Sequence, residues 1–199
     1  MKTRTPPLLT PQLPTWGYAE IETALAKVYG AEHVQRTAFR ARLKHFRKLK
    51  IPQACSEQEG ARIRYAAADV FQLMVALELT EFGVAPELVA KLVRSQWEGK
   101  RRLWQAIVQA QTFRDDDNHF FVALPARFMS WTWGEKFRES VDGISYESGG
   151  EPIYVSSFRA SEAAVFLKDL SKGGERMMVF DLSARIHAVE DALVGENRK

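Results

Sequence analysis

RTAFRARLKHFRKLKIP, residues 36–52, is the basic amphipathic stretch on which the interpretation of the whole chain depends. Its apolar residues fall at i, i+4, i+7 and i+10, the spacing of one stripe on an α-helix: Phe39, Leu43, Phe46 and Leu49. That stripe predicts a helix with one side in the core. The remaining arc has cations and no acid: Arg36, Arg40, Lys44, Arg47 and Lys48. Such a surface repels itself unless an anionic group lies against it.

A helix surface of Lys and Arg has two interpretations, a solvated face or a nucleic-acid contact. Helices built for solubility interleave Glu with Lys at i, i+4, and here no acid is interleaved. The segment 60–65 (GARIRY) adds Arg62 and Arg64 with the alternation that is typical of a hairpin wing. From Arg36 to Arg64 there are nine Lys or Arg and two acids. A basic helix beside a basic wing predicts contact with a phosphate backbone.

Two further helices are predicted downstream, in AAADVFQLMVALELTEFGVAPELVAKL, residues 66–92. The first should run from about Ala67 to Phe82 and is apolar on most sides, which indicates the centre of the scaffold. Gly83 should end it, and Pro86 suits the first turn of the next helix. Upstream, residues 18–29 predict a helix that stops at Gly30. That helix, its turn and the basic helix together predict a helix-turn-helix.

These features, over roughly residues 20–95, resemble the DNA-binding domain of the MerR family of bacterial transcription regulators. The family has an aromatic pair on its recognition helix, a Gly-x-Arg-x-Tyr wing, an acidic residue opening a third helix and a Gly-containing turn before a fourth. The positions that resemble these are, in order, His45 and Phe46, then Gly60, Arg62 and Tyr65, then Asp69, and finally residues 82–84.

The resemblance implies a mainly α N-terminal winged helix-turn-helix domain, followed by a helical linker and a small α+β C-terminal domain. The predicted divisions are a disordered or extended arm (1–17), the DNA-binding domain (18–95), a linker or dimerisation helix (96–112) and an effector or oligomerisation domain (113–199). Helix 96–112 has two open interpretations, pairing with its twin or packing on its own domain. Strands are expected at 119–124, 152–158 and 177–180, with helices at 162–170 and 183–193.

The implied function is a sequence-specific transcription regulator of double-stranded DNA, with helix 36–50 in the major groove and wing 60–65 on the backbone. Arg36, Arg40 and Lys44 are the candidates for the groove. By resemblance, phosphates would be held by Lys44, His45, Arg62 and Arg64. The full predicted DNA-binding set is Arg36, Arg40, Lys44, His45, Arg47, Lys48, Arg62, Arg64 and Tyr65. A homodimer on an inverted repeat is expected, with RNA polymerase or another regulator as a further candidate partner.

The charge distribution supports an alternative class of function. Residues 1–112 have 17 basic and 10 acidic side chains, and residues 113–199 have 11 basic and 15 acidic ones, so the net charges are +7 and −4. The alternative is a winged-helix interaction module that recruits a partner protein through its acidic C-terminal domain. In that case the basic face would be dispensable. A third hypothesis, an enzyme or small-molecule sensor that uses a pocket near Trp131 and Trp133, has only aromatic content to support it.

Sequence motifs for catalysis or cofactor binding were not found, so no enzyme, cofactor or metal is predicted. Asp115, Asp116 and Asp117 with His119 suggest a solvated turn, since a second ligand cluster is missing. The lone Cys55 excludes an internal disulfide. No apolar stretch approaches the roughly 18 residues of a membrane span, so a cytoplasmic protein without membrane contact is expected.

Overall fold

The structure is a computed structural model that describes residues 15–31, 35–52, 63–98, 102–112, 119–125, 156–165, 168 and 177–196. It is mainly helical, with small antiparallel sheets. The longer helices are α1 (Tyr18–Val28), α2 (Arg36–Lys48), α3 (Ala67–Glu81), α4 (Pro86–Glu98), α5 (Arg102–Thr112) and α6 (Leu182–Glu196). The strands are β1 (Trp16–Gly17), β2 (Arg64–Tyr65), β3 (Phe120–Pro125), β4 (Ser156–Arg159) and β5 (Met177–Asp181).

Helices α1, α3 and α4 form close to where the sequence predicts them. Gly30 follows α1 with φ +64° and Gly83 follows α3 with φ +84°, a left-handed conformation that favours glycine and reverses the chain. Helix α3 is buried on every side from Asp69 to Leu79, which confirms its prediction as the centre of the scaffold. The Asp69 carboxylate accepts a hydrogen bond from the Ala66 backbone N–H at 2.8 Å and so caps the helix.

Helix α2 ends earlier than predicted. It stops at Lys48 instead of residue 50, because Lys50 adopts a positive φ of 60° that cannot continue a right-handed helix. The chain turns back there, and the Ile51 N–H donates to the Phe46 carbonyl at 3.0 Å. Ile51 is fully buried, so the reversal anchors the end of α2 in the core.

The described part of the predicted wing pairs with the N-terminal segment. Strand β2 is antiparallel to β1, with Trp16 opposite Tyr65 and Gly17 opposite Arg64. The sequence predicted that residues 60–65 belong to a hairpin wing. Among the described residues, β2 pairs with a strand nearly fifty residues upstream, and residues 53–62 lie outside the described part. The end of the predicted arm is therefore an ordered strand, and Trp16 anchors it in the core at 6% exposure.

A three-stranded antiparallel sheet forms the other β-element, in the order β4-β3-β5. Its inward side contributes buried Phe120, Val122 and Phe180 to the core. The strands predicted at 119–124 and 177–180 are confirmed. For the strand predicted at 152–158, the described part begins at Ser156. Residues 126–155, which include Trp131 and Trp133, lie outside the described residues, as do Asp115 to Asp117.

One hydrophobic cluster includes residues from both predicted domains, from Trp16 to Leu193. Helix α6 packs on α1, α3 and α5, and α5 packs on α4 and α6 of the same chain. Polar contacts follow the same interfaces, since Gln111 on α5 donates to Glu190 at 2.7 Å and Arg185 pairs with Glu78 on α3 at 2.7 Å. The core therefore continues across the predicted division at residue 113.

Candidate nucleic-acid interface

Helix α2 has a buried apolar face and an exposed basic face. Phe39, Leu43 and Phe46 are between 0% and 5% exposed, so the predicted stripe holds the helix on the core. On the outer face, Arg40, Lys44, Arg47 and Lys48 are exposed, and Arg36 and His45 are half-buried. The helix therefore presents its cations to solvent from a fixed backbone.

Two of these cations are paired with an acid on α1. The Arg40 guanidinium binds the Glu22 carboxylate through two hydrogen bonds, Nη2 to Oε1 at 2.8 Å and Nε to Oε2 at 2.9 Å. Arg36 Nε lies 3.4 Å from Oε1 of the same carboxylate, and its Nη2 donates to Thr23 at 3.0 Å. The sequence suggested that the basic face needs an anionic neighbour, and for Arg36 and Arg40 that neighbour is Glu22.

The ionised form of Glu22 is favoured although the residue is 3% exposed. Burial alone would raise its pKa, but hydrogen bonds and charge from Arg40 and then Arg36 outweigh burial and hold the pKa below its ordinary value. A depressed carboxyl pKa stabilises the fold at pH values above the unfolded-state pKa. That stabilisation is lost as the pH falls through the folded-state pKa.

Replacing Glu22 by Gln should lower the free energy of unfolding by about 1 kcal/mol at neutral pH, because the solvent around the half-exposed arginines weakens the pair. The difference from wild type should begin to shrink below the ordinary Glu pKa of about 4.3 and vanish at lower pH, once the folded-state carboxyl is protonated as well. Urea unfolding at pH 7, 5 and 3 measures it. Glu87→Gln, at an exposed carboxyl, is the control with little expected effect. A difference that is constant across pH would contradict the role of ionised Glu22.

Further basic residues of α2 contact acids on α3 and α4. Arg42 pairs with Glu81 after the last buried turn of α3, and His45 Nε2 lies 3.4 Å from Glu87 Oε1 on α4. These pairs are exposed, so they contribute little to stability. They do direct the Arg42 and His45 side chains toward α3 and α4 of the same chain. The position of His45 is therefore beside α4, at the edge of the basic face.

Lys44, Arg47 and Lys48 are the remaining exposed cations of α2. Their spacing of i, i+3 and i+4 puts them on one side of the C-terminal half of the helix. Within the part of the chain that the structure describes, no ion pair involves Lys44 or Lys48. The Arg47 guanidinium lies over the Tyr18 ring, 5.5 Å from its centroid, in a cation–π contact. We refer to Lys44, Arg47 and Lys48 as the basic triplet.

The predicted wing residues have different environments. Arg64 is exposed, and its Nε donates to Thr15 Oγ1 at 3.1 Å while Nη1 lies 3.6 Å from Glu20 Oε2. Tyr65 is 0% exposed, because strand pairing turns it inward against α3. A buried ring offers no surface to a duplex, so the prediction that Tyr65 contacts DNA is not consistent with its position. Arg62 lies outside the described residues.

Tyr18, at the start of α1, was missed by the sequence interpretation. It lies one helical turn before Glu22, and its ring contacts Tyr65 with centroids 6.5 Å apart. Burial, and then the charge of Glu22, raise the pKa of Tyr18 against the opposing effect of Arg47 and Arg40, so its hydroxyl is protonated at neutral pH. The only signal in the sequence was an aromatic residue at a helix start, which is more often a core residue.

Other chemistry is limited among the described residues. No group of three or more His, Cys, Asp or Glu in the described ranges could hold a metal ion. His119 Nδ1 lies 3.0 Å from Asp181 Oδ2, and Asp181 Oδ1 accepts from the Ala184 N–H at 2.8 Å at the start of α6. No helix within the described segments is long and apolar enough to cross a membrane.

Comparison of the chain with protein-family models, with curated proteins and with solved structures gave no match.

Proposed function

We propose that the chain is a sequence-specific DNA-binding transcription regulator, with α2 as its recognition helix in a winged helix-turn-helix. One observation carries the proposal: α2 is fixed by a buried apolar stripe and presents the basic triplet to solvent, with no ion pair to an acid among the described residues. Helices of this kind enter the major groove, where some side chains reach base edges and the others hold phosphates. A two-fold homodimer reading an inverted repeat is part of the proposal.

The structure changes which residues best support this function. Arg36 and Arg40 share their charge with Glu22, so they reach DNA with less free charge than the sequence suggests. Lys44, Arg47 and Lys48 keep exposed positions on the C-terminal half of α2. Arg64 on β2 pairs with Glu20 in the first turn of α1, the same helix whose Tyr18 lies under Arg47. The proposed contact surface therefore extends from the end of α2 across the start of α1 to β2.

The double variant Lys44→Ala, Lys48→Ala tests the proposal. It should weaken binding to selected genomic DNA fragments and lower the slope of log affinity against log salt by about 1.8, or about 0.9 per lost phosphate contact. These lysines are preferred to Arg40 as targets, because replacing Arg40 would also leave Glu22 buried with less charge compensation. Affinity is measured at several salt concentrations by fluorescence anisotropy.

The matched control is Lys27→Ala, which removes an exposed lysine from the last turn of α1. It should change neither the salt slope nor the choice of fragments. Binding that is absent in wild type, or unaffected by the double variant, would contradict the proposal. The interaction module that recruits a partner through the acidic C-terminal half would then be the better hypothesis.

A further inference from the structure

The Tyr18 hydroxyl is a buried donor without a hydrogen-bond partner among the residues that the structure describes. Native proteins contain few such groups, and each one calls for an explanation, because a buried hydroxyl that has lost its water destabilises the fold. Tyr29, on the same helix, shows the ordinary arrangement: its hydroxyl donates to the Met74 carbonyl at 3.0 Å. A ligand oxygen could therefore accept the hydrogen bond that the Tyr18 hydroxyl does not make in the free protein.

The surroundings of this hydroxyl favour an anion. Arg47 lies over the ring of Tyr18, and Arg40 is held by the Glu22 carboxylate one turn further along α1. Tyr18 and Glu22 are four residues apart on α1 and so lie on the same side of the helix, which brings the Glu22-bound Arg40 to this side as well. The charges of both arginines lower the pKa of Tyr18, against the larger effects of burial and Glu22. The hydroxyl remains protonated, since burial and Glu22 raise its pKa overall, and so it acts as a donor.

The pair with Glu22 also fixes the orientation of Arg40. Its Nε and Nη2 atoms bind the two carboxylate oxygens, which leaves Nη1 for a second acceptor. A guanidinium held in this way has lost its rotational freedom before the ligand arrives, so less is lost on binding. Arg47 is exposed and lies against the Tyr18 ring, so its guanidinium can move to a ligand beside that ring.

We propose that Tyr18, Arg40 and Arg47 form a binding site for one phosphate group of the DNA backbone, with the Tyr18 hydroxyl donating to a phosphate oxygen. This inference rests on the proposed function, because the basic triplet brings the duplex to this side of α2. A phosphate offers several acceptor oxygens, which match a hydroxyl and two guanidinium groups. The site uses the hydroxyl that the free fold leaves unpaired.

The test is Tyr18→Phe, which removes one oxygen and no charge. The dissociation constant for the selected DNA fragment should rise about tenfold, as expected for a lost hydrogen bond to a charged acceptor. The salt slope should not change, because no cation is removed. The thermal midpoint of the free protein should stay the same or rise, since the hydroxyl has no partner to lose.

Tyr29→Phe is the matched control, because it removes a hydroxyl that is satisfied within the fold. It should lower the thermal midpoint and leave the affinity for DNA unchanged. A merely structural role for Tyr18 would give the opposite pattern, with a lower midpoint and unchanged affinity.

A second arm distinguishes backbone phosphate from free phosphate. Inorganic phosphate is titrated into the full chain at constant ionic strength set with chloride, and the Tyr18 ring signals are followed by NMR. The site is supported by chemical-shift changes in wild type that exceed those with chloride and that are lost in Arg47→Ala.

If wild type binds DNA but Tyr18→Phe binds equally well, the inference is overturned while the proposed function stands. If DNA does not bind but phosphate perturbs Tyr18, the proposed function fails and the site takes free phosphate. If neither binds, the site is overturned as well.

Discussion

Tyr65→Ala is expected to lower the free energy of unfolding by about 4 kcal/mol, as truncation of a fully buried aromatic side chain does. The ring is 0% exposed, contacts the Tyr18 ring, and lies on the strand that ties β1 to α3. Removing the ring would leave a cavity between β2 and α3, which pack on each other through this residue. Urea unfolding followed by far-UV circular dichroism measures the change.

Tyr65→Leu is the companion variant, since leucine keeps an apolar side chain at the same position. It should lower the free energy of unfolding by about 2 kcal/mol, because it leaves a smaller cavity. The two variants together distinguish a role of Tyr65 in the core from the predicted role in contacting DNA. An alanine variant that is as stable as wild type but has lost DNA affinity would show that Tyr65 is a binding residue after all.

Ile186→Ala is expected to lower the free energy of unfolding by about 3 kcal/mol and to affect the whole chain. Ile186 is 0% exposed on α6, which packs on α1, α3 and α5. Since one core includes both predicted domains, the loss should lower the stability of α3 and α6 together. Hydrogen exchange of amides in α3 and α6, followed as urea increases, measures the two regions separately.

Val194→Ala is the control on the same helix, because Val194 is 51% exposed. It should change the free energy of unfolding by no more than about 0.5 kcal/mol. A different result would be two separate unfolding transitions, in which Ile186→Ala lowers the stability of α6 and leaves that of α3 unchanged. That result would support separate domains at the boundary predicted from the sequence.

The sequence predicts the helices well because their signals are local. Gly30 and Gly83 adopt the left-handed conformation that ends a helix, and Pro86 begins α4 where its missing N–H has no cost. The apolar residues of α2 recur with the helical period and are buried. The end of α2 was less predictable, because the positive φ falls on Lys50, a residue type that gives no such signal.

The partners of these elements could not be predicted, since periodicity tells which face is buried but not what covers it. Glu22 and Arg40 are 18 residues apart on different helices, and their pairing appears only once α1 and α2 meet. The same is true of β2, whose partner β1 lies far upstream, and of α6 on α1. For the site, residue type predicted the basic face, and tertiary packing decided which cations are already paired.

The packing of α6 on α1 has a consequence for how the protein is dissected. A fragment ending near residue 112 would present to water the apolar side of α1 that α6 normally covers. Exposed apolar surface of this kind promotes aggregation and indiscriminate adhesion. A two-hybrid or pull-down screen with such a fragment would collect spurious interactors, so point substitutions in the whole chain are the sounder way to map its partners.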